Sequence, residues 1–198
     1  MIKIFLFSII IFLGHIVTAQ EFKNQVAAAR TAYASGKLEP THFALQQALQ
    51  ELDMIIGKEV LKLLPGSMDA LKVNAKDDNV TSNIGFVGAT IHRTYGTPDR
   101  KADLSIISNS PLIASLNGLL NMPLLGGLMR DENSKTIKVQ GYKARMERSD
   151  AGNGKFNYKL DVPFSSALLT FSVDNSTESE ITSMASKIPM KEIAALIQ

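Results

Sequence analysis

The apolar pattern of this chain changes period once, at Pro65-Gly66, and that change restricts the fold more than any other feature. Before it, apolar residues recur every three or four positions, the repeat of an α-helix. After it, short alternating runs are separated by polar turns, the repeat of strands. Helices followed by sequential hairpins predict an α+β fold: a helical hairpin over 20–65, then a mainly antiparallel sheet with helices over 66–198.

In the first part, Phe22, Val26, Ala29 and Tyr33 share one helical stripe, and Gly36 stands where a left-handed cap ends a helix. Leu38-Glu39-Pro40-Thr41 restarts the chain, with Pro40 acceptable in a first turn and Thr41 a candidate cap. Leu45, Leu49, Leu52, Ile56, Val60 and Leu63 trace the face of the second helix until Pro65-Gly66 stops it. The stretch from Tyr33 to Leu38, followed by Ala44 and Ala48, resembles one tetratricopeptide unit. Such a unit cannot bury its own face and no second copy follows, so a plain antiparallel helix pair is expected.

In the second part, Phe86–Tyr95 and Ala102–Ile107 alternate as strands around the turn Gly96-Thr97-Pro98-Asp99. Ser110 and Pro111 open a helix carried by Leu112, Leu116, Leu119 and Leu120. Four further strands are predicted at Thr136–Gln140, Tyr142–Arg148, Phe156–Val162 and Leu168–Val173, with a tight turn or bulge at Gly141. Two short helices, Glu178–Lys187 and Met190–Ile197, are split by Pro189, with Ile181, Met184, Ala185 and Ile188 on one face.

The first 19 residues place Lys3 ahead of the apolar run Ile4–Leu13 and end in Val17-Thr18-Ala19. A basic head, a short apolar middle and a small residue at the end form a secretory signal peptide, so cleavage after Ala19 is expected. The apolar run falls short of the roughly 20 residues a membrane helix needs, so the processed chain is expected not to be an integral membrane protein. The order suits a bacterial envelope product, periplasmic or secreted.

Export sharpens the meaning of composition. The chain has no cysteine, so its stability must come from burial without disulfides, and thiolate chemistry and cysteine-zinc sites are excluded. Of three histidines, His15 lies in the leader, leaving His42 and His92, too few to expect a histidine metal centre. The net charge of +2, falling to +1 with the loss of Lys3, gives no electrostatic reason for nucleic-acid binding.

Chemistry-bearing residues are sparse. His92, Arg93 and Tyr95 lie on one strand, but alternation turns His92 away from the other two. Arg93 with Tyr95 forms a weak candidate anion site, because a guanidinium fork and a phenol both donate to a carboxylate or phosphate. Asp77-Asp78-Asn79 and the run Ser149 to Gly154 offer oxygen ligands but lack the spacing of a calcium loop, and turn chemistry accounts for them. Ser108, Ser110, Ser165 and Ser166 occupy no nucleophile elbow. Asp99 with Asp103, and Glu178 with Glu180, are carboxylate pairs of the kind found near turns and helix starts. No cofactor is indicated.

The apolar stretch from Leu112 to Met129 stands out, because a loop this apolar must either bury backbone or expose a patch. Its candidate contact residues are Leu112, Leu116, Leu120, Met122, Leu125 and Met129. The leading expectation is therefore an exported, non-catalytic binding protein that meets an envelope protein or an apolar ligand through this stretch. The alternative is a hydrolase-type enzyme with a cleft near His92, Arg93 and Tyr95. A third is docking through an exposed stripe on the hairpin's second helix.

Overall fold

The computed structural model describes residues 13–83, 86–110, 112–121, 133–152 and 154–197. Residues 1–12, together with Met122, Leu125 and Met129, lie outside the described residues. The chain divides into two compact units, Met1–Ile55 with Ser82–Val87, and Ile56–Thr81 with Gly88–Gln198.

The first unit is the expected hairpin, built from α1 (Leu13–Ala34) and most of α2 (Leu38–Leu63). Gly36 takes a left-handed conformation with φ 71°, and the Lys37 N–H donates to the Ala32 carbonyl, so the turn closes within three residues. The second helix starts a turn earlier than expected. Leu38 opens it, Pro40 sits in its first turn, and Thr41 lies inside, its hydroxyl donating back to the Lys37 carbonyl at 2.6 Å instead of capping. Pro40 tolerates this position because N–H groups of a first turn lack intrahelical partners anyway.

The buried side of the hairpin differs from the leucine stripe. Ala29, Ala44 and Ala48 are buried, whereas Leu45, Leu49 and Leu52 are exposed. Ala29 lies two turns before Gly36 and Ala44 two turns after it, so these methyls fall at the same level of an antiparallel pair. Small side chains let helix backbones approach closely, and the larger leucines are left to the side. The Gln50 amide donates to the Ser82 carbonyl at 3.1 Å and the Ser82 hydroxyl to Asp53 at 3.4 Å, tying the returning strand to α2.

The second unit carries the sheet. A two-stranded ribbon, β1 (Ser67–Met68) with β2 (Leu71–Lys72), precedes β3 (Asn79–Asn83), β4 (Phe86–Thr97) and β5 (Arg100–Ser108). Helix α3 (Leu112–Asn121) leads to β6 (Ser134–Val139), β7 (Tyr142–Gly152), β8 (Lys155–Phe164) and β9 (Ala167–Ser176). The main sheet has seven strands in the order β3-β4-β5-β9-β8-β7-β6, and the pairings from β4 across to β6 are antiparallel. The four later strands form a meander whose last member returns to the middle and pairs with β5. Gln140 and Gly141 both have positive φ, 50° and 89°, giving the tight turn expected between β6 and β7.

Alternation sorts the sheet into two unlike faces. Ile91, Leu104, Ile106, Leu160, Val162, Leu169, Phe171 and Val173 are fully buried on the inner face. They belong to one core with Val60 and Leu64 at the end of α2, Met68 and Leu71 of the ribbon, and the two C-terminal helices. These helices, α4 (Glu178–Ala185) and α5 (Met190–Ile197), bury Ile181, Met184 and Ala185, and Met190, Ile193 and Ile197. Thr177 and Glu180 form a reciprocal capping box at the start of α4. At its other end the Gln140 amide donates to the carbonyls of Ala185, Ser186 and Ile188, so a turn residue of the sheet satisfies a helix terminus.

The outer face carries charge instead of methyl groups, except where α3 covers it. The helix touches β7, β8 and β9. Leu120 is buried, and Lys143, which alternation turns away from the fully buried Ala144, donates to the Leu120 carbonyl at 3.4 Å. The expected stripe begins one residue later than Leu112: Ile113, Leu116 and Leu120 turn toward protein, and Leu112 is 59% exposed. Ser110 caps the helix as expected, its hydroxyl accepting from the Leu112 N–H at 3.3 Å.

Candidate functional site

Arg93 sits on the inner side of β4, where alternation would otherwise place an apolar residue. Its Nε and Nη2 donate to the two oxygens of Asp78 at 2.8 and 2.7 Å, and its Nη1 to the Leu64 carbonyl at 2.9 Å. The side chains of the pair are only 11% and 15% exposed. The fork that could grip an external carboxylate thus holds the protein's own, and it also closes the end of α2 onto β4. The Asp78 hydrogen bond, outweighing the cost of burial, raises the Arg93 pKa further.

The neighbouring segment is tied to the same strand. The Thr94 hydroxyl donates to Asp77 at 2.9 Å, and the Asn74 amide donates to Thr94 Oγ1 and to the Gly96 carbonyl, each at 3.2 Å. Asp77 and Asp78 therefore serve as acceptors for β4 side chains. Among the described residues, no group of three or more histidine, aspartate or glutamate side chains is placed to hold a metal ion.

Tyr95 is fully buried, and its hydroxyl has no hydrogen-bond partner among the described residues. Burial pushes the phenol up to about 12, with the Arg93 charge pulling the other way. The folded chain thus keeps the Tyr95 proton between pH 10 and 12, whereas the unfolded chain releases it from about pH 10. Stability attributable to this group is complete below pH 10 and falls as pH rises through that window, by up to about 2–3 kcal/mol. Urea titrations across the range should show that fall in the parent chain and its loss in Tyr95→Phe. At neutral pH the variant should be equal or up to about 1 kcal/mol more stable, since it removes an unpaired buried hydroxyl.

His92 projects to the outer face, apart from Arg93 and Tyr95, and its Nε2 lies 2.9 Å from Asp103 Oδ1. Lys101 reaches the other Asp103 oxygen at 3.0 Å. Further along this face Arg145 pairs with Glu147 at 2.7 Å, and Lys159 pairs with Asp161 at 2.9 Å. The Thr170 hydroxyl also donates to Asp161, at 2.8 Å. An open cleft of about 300 Å³ lined by Asn133, Glu147, Ser149, Asn157, Lys159 and Ser172 lies against this ladder. Its Lys159 and Glu147 already have partners of opposite sign.

The carboxylate pairs expected from sequence separate. Glu178 meets Lys135 at 2.5 Å, while Glu180 meets Arg100 at 2.6 Å and closes the capping box. The Arg100 hydrogen bond, with the Thr177 N–H, holds Glu180 below the usual carboxylate range. Asp103 faces His92 and Lys101. Of the serines, Ser108 is buried, its hydroxyl accepting from the Ala89 N–H at 2.8 Å.

The remaining candidate is apolar. Val26, Tyr33, Leu38, Leu45, Leu49 and Leu52 are 43, 69, 69, 49, 59 and 36% exposed. At 3.6 residues per turn the four leucines of α2 lie within about 60° of one another. They are offset from Ala44 and Ala48 in the same rotational sense as Val26 and Tyr33 are offset from Ala29. Because α1 and α2 run antiparallel, equal offsets fall on one side of the pair, so the six side chains form a continuous apolar face. The sequence signal was available: alanines at Ala44 and Ala48 mark a close-packed seam beside the leucine stripe, leaving the stripe without a partner.

The chain matches no known family model, no curated protein and no solved structure, so the reading of its function rests on this geometry.

Proposed function

We propose that this chain is an exported, non-catalytic interaction protein of the bacterial envelope, periplasmic or secreted, which meets its partner through the apolar side of its helical hairpin. The observation that carries the reading is the uncovered row of Val26, Tyr33, Leu38, Leu45, Leu49 and Leu52. A folded chain rarely leaves such a contiguous patch to water unless something binds it. Further along the same stripe of α2, Val60 is fully buried in the sheet's core, so the stripe has the chemistry of a packing surface along its length. The exposed Leu112 end of α3 provides a second, smaller contact surface.

Export is supported by the order Lys3, Ile4–Leu13, Val17-Thr18-Ala19. Among the described residues, no helix is long and apolar enough to cross a membrane.

The test is native purification from the producing host. The chain should begin at Gln20 and bring with it a stoichiometric companion, a second copy included. Leu45→Glu/Leu49→Glu should lose the companion while keeping the same circular dichroism. Recovery of the same species with both proteins, or no companion with either, overturns the assignment of this face.

A further inference from the structure

We infer that the occupant of the hairpin's apolar side is a second copy of the same chain, a deepening that rests on the interaction reading above. Three features support a self-complementary contact.

The first is size. The exposed parts of the six side chains amount to on the order of 600 Å² per copy, close to the ~800 Å² each partner contributes to a standard stable interface. The second is spacing. Leu38, Leu45 and Leu52 recur every seven residues, with Leu49 between the last two, which is the alternating three-and-four spacing of a helix-on-helix seam. A seam of that period fits another helix, whereas an irregular apolar ligand would not require it.

The third is symmetry. A two-fold axis parallel to the helices lays α1 of one copy across α2 of the other, so the same patch serves both partners. The product is a four-helix layer in which leucines and Tyr33 fill the space between two hairpins.

The absence of cysteine makes a clean test possible, because any introduced thiol is unique. The intact chain should have a dimer mass by native mass spectrometry and sedimentation. Leu45→Glu/Leu49→Glu should weaken self-association on the order of a hundredfold, leaving monomers with unchanged circular dichroism. A short bismaleimide should join two copies of Leu49→Cys, whereas Leu112→Cys on α3 should stay single. A dimer in which Leu112→Cys joins and Leu49→Cys does not would place the contact elsewhere and overturn the proposal. A monomer that holds a different chain through this face, and loses it in the double glutamate variant, overturns the second copy but leaves the interaction reading intact. A monomer with no companion overturns both.

Discussion

Replacing Asp78 with leucine while Arg93 is kept should destabilise the fold by about 3–5 kcal/mol, measured by urea denaturation at neutral pH. The size follows from what remains behind. Arg93 is nearly buried, and two of its three hydrogen bonds end on Asp78. Without the carboxylate the charge stays inside with only the Leu64 carbonyl as acceptor. Removing the charge as well, in Asp78→Leu/Arg93→Met, should recover most of the loss, because apolar groups of similar volume suit the inner face. Equal losses in the single and double variants would mean that the pair's attraction contributes more than its desolvation costs. The expected recovery would assign the ion pair a role in fixing the register between the end of α2 and β4.

Gly88→Ala should cost roughly 3 kcal/mol or more, for reasons unrelated to charge. Gly88 has φ 115°, a conformation open almost solely to glycine, and an added Cβ would lie 2.3 Å from the Ser108 carbonyl oxygen and 2.6 Å from its hydroxyl. The obstacle is backbone, so no rotamer change relieves it. The Ser108 hydroxyl also serves the Ala89 N–H, so a shift large enough to admit the methyl would unmake that bond. Gly141→Ala provides the comparison: its φ is 89° but nothing lies within 4 Å of the new methyl, so only the conformational cost of about 1 kcal/mol should appear. Thermal melts of the two variants should therefore separate clearly. Similar melting temperatures would show that β4 bends freely at Gly88.

Much of the architecture could be read from local pattern. The hairpin turn at Gly36, the end of α2 before Pro65, the turn at Gly141 and the split of the last two helices at Pro189 rest on backbone rules that operate within a few residues. Strands β4 to β9 followed from alternation, which burial bears out most clearly in β5 and β9. What local pattern could not supply was which stripe a helix buries. Leucines carry the strongest apolar signal, yet the side chains the hairpin buries are Ala29, Ala44 and Ala48, while Leu45, Leu49 and Leu52 stay exposed. The ribbon β1-β2 and strand β3 also escaped notice, being short and largely polar.

The candidate chemistry was less legible because it depends on distant partners. Nothing near Arg93 in sequence points to Asp78, a contact made by the fold of the intervening chain. The separation of His92 from Arg93 and Tyr95 was legible, since alternation alone requires it. The hairpin's apolar side could be read as an exposed stripe on the second helix, but its continuation onto α1 through Val26 and Tyr33 depends on how the two helices pair.

The sheet's order carries a consequence for the timing of assembly. Strand β5 is complete by Ser108, yet its second neighbour β9 begins only at Ala167, so Ala102 must wait for Val173. A chain emerging from its N-terminal end would present β5 with one side open while the later strands are still being delivered. Closure then comes late and depends on a distant encounter, the kind of step that slows folding. Chain arrested before Ala167 would hold two half-sheets with no seam between them, each offering a bare strand to its neighbours. In a crowded compartment, that interval is when this protein would most need a chaperone.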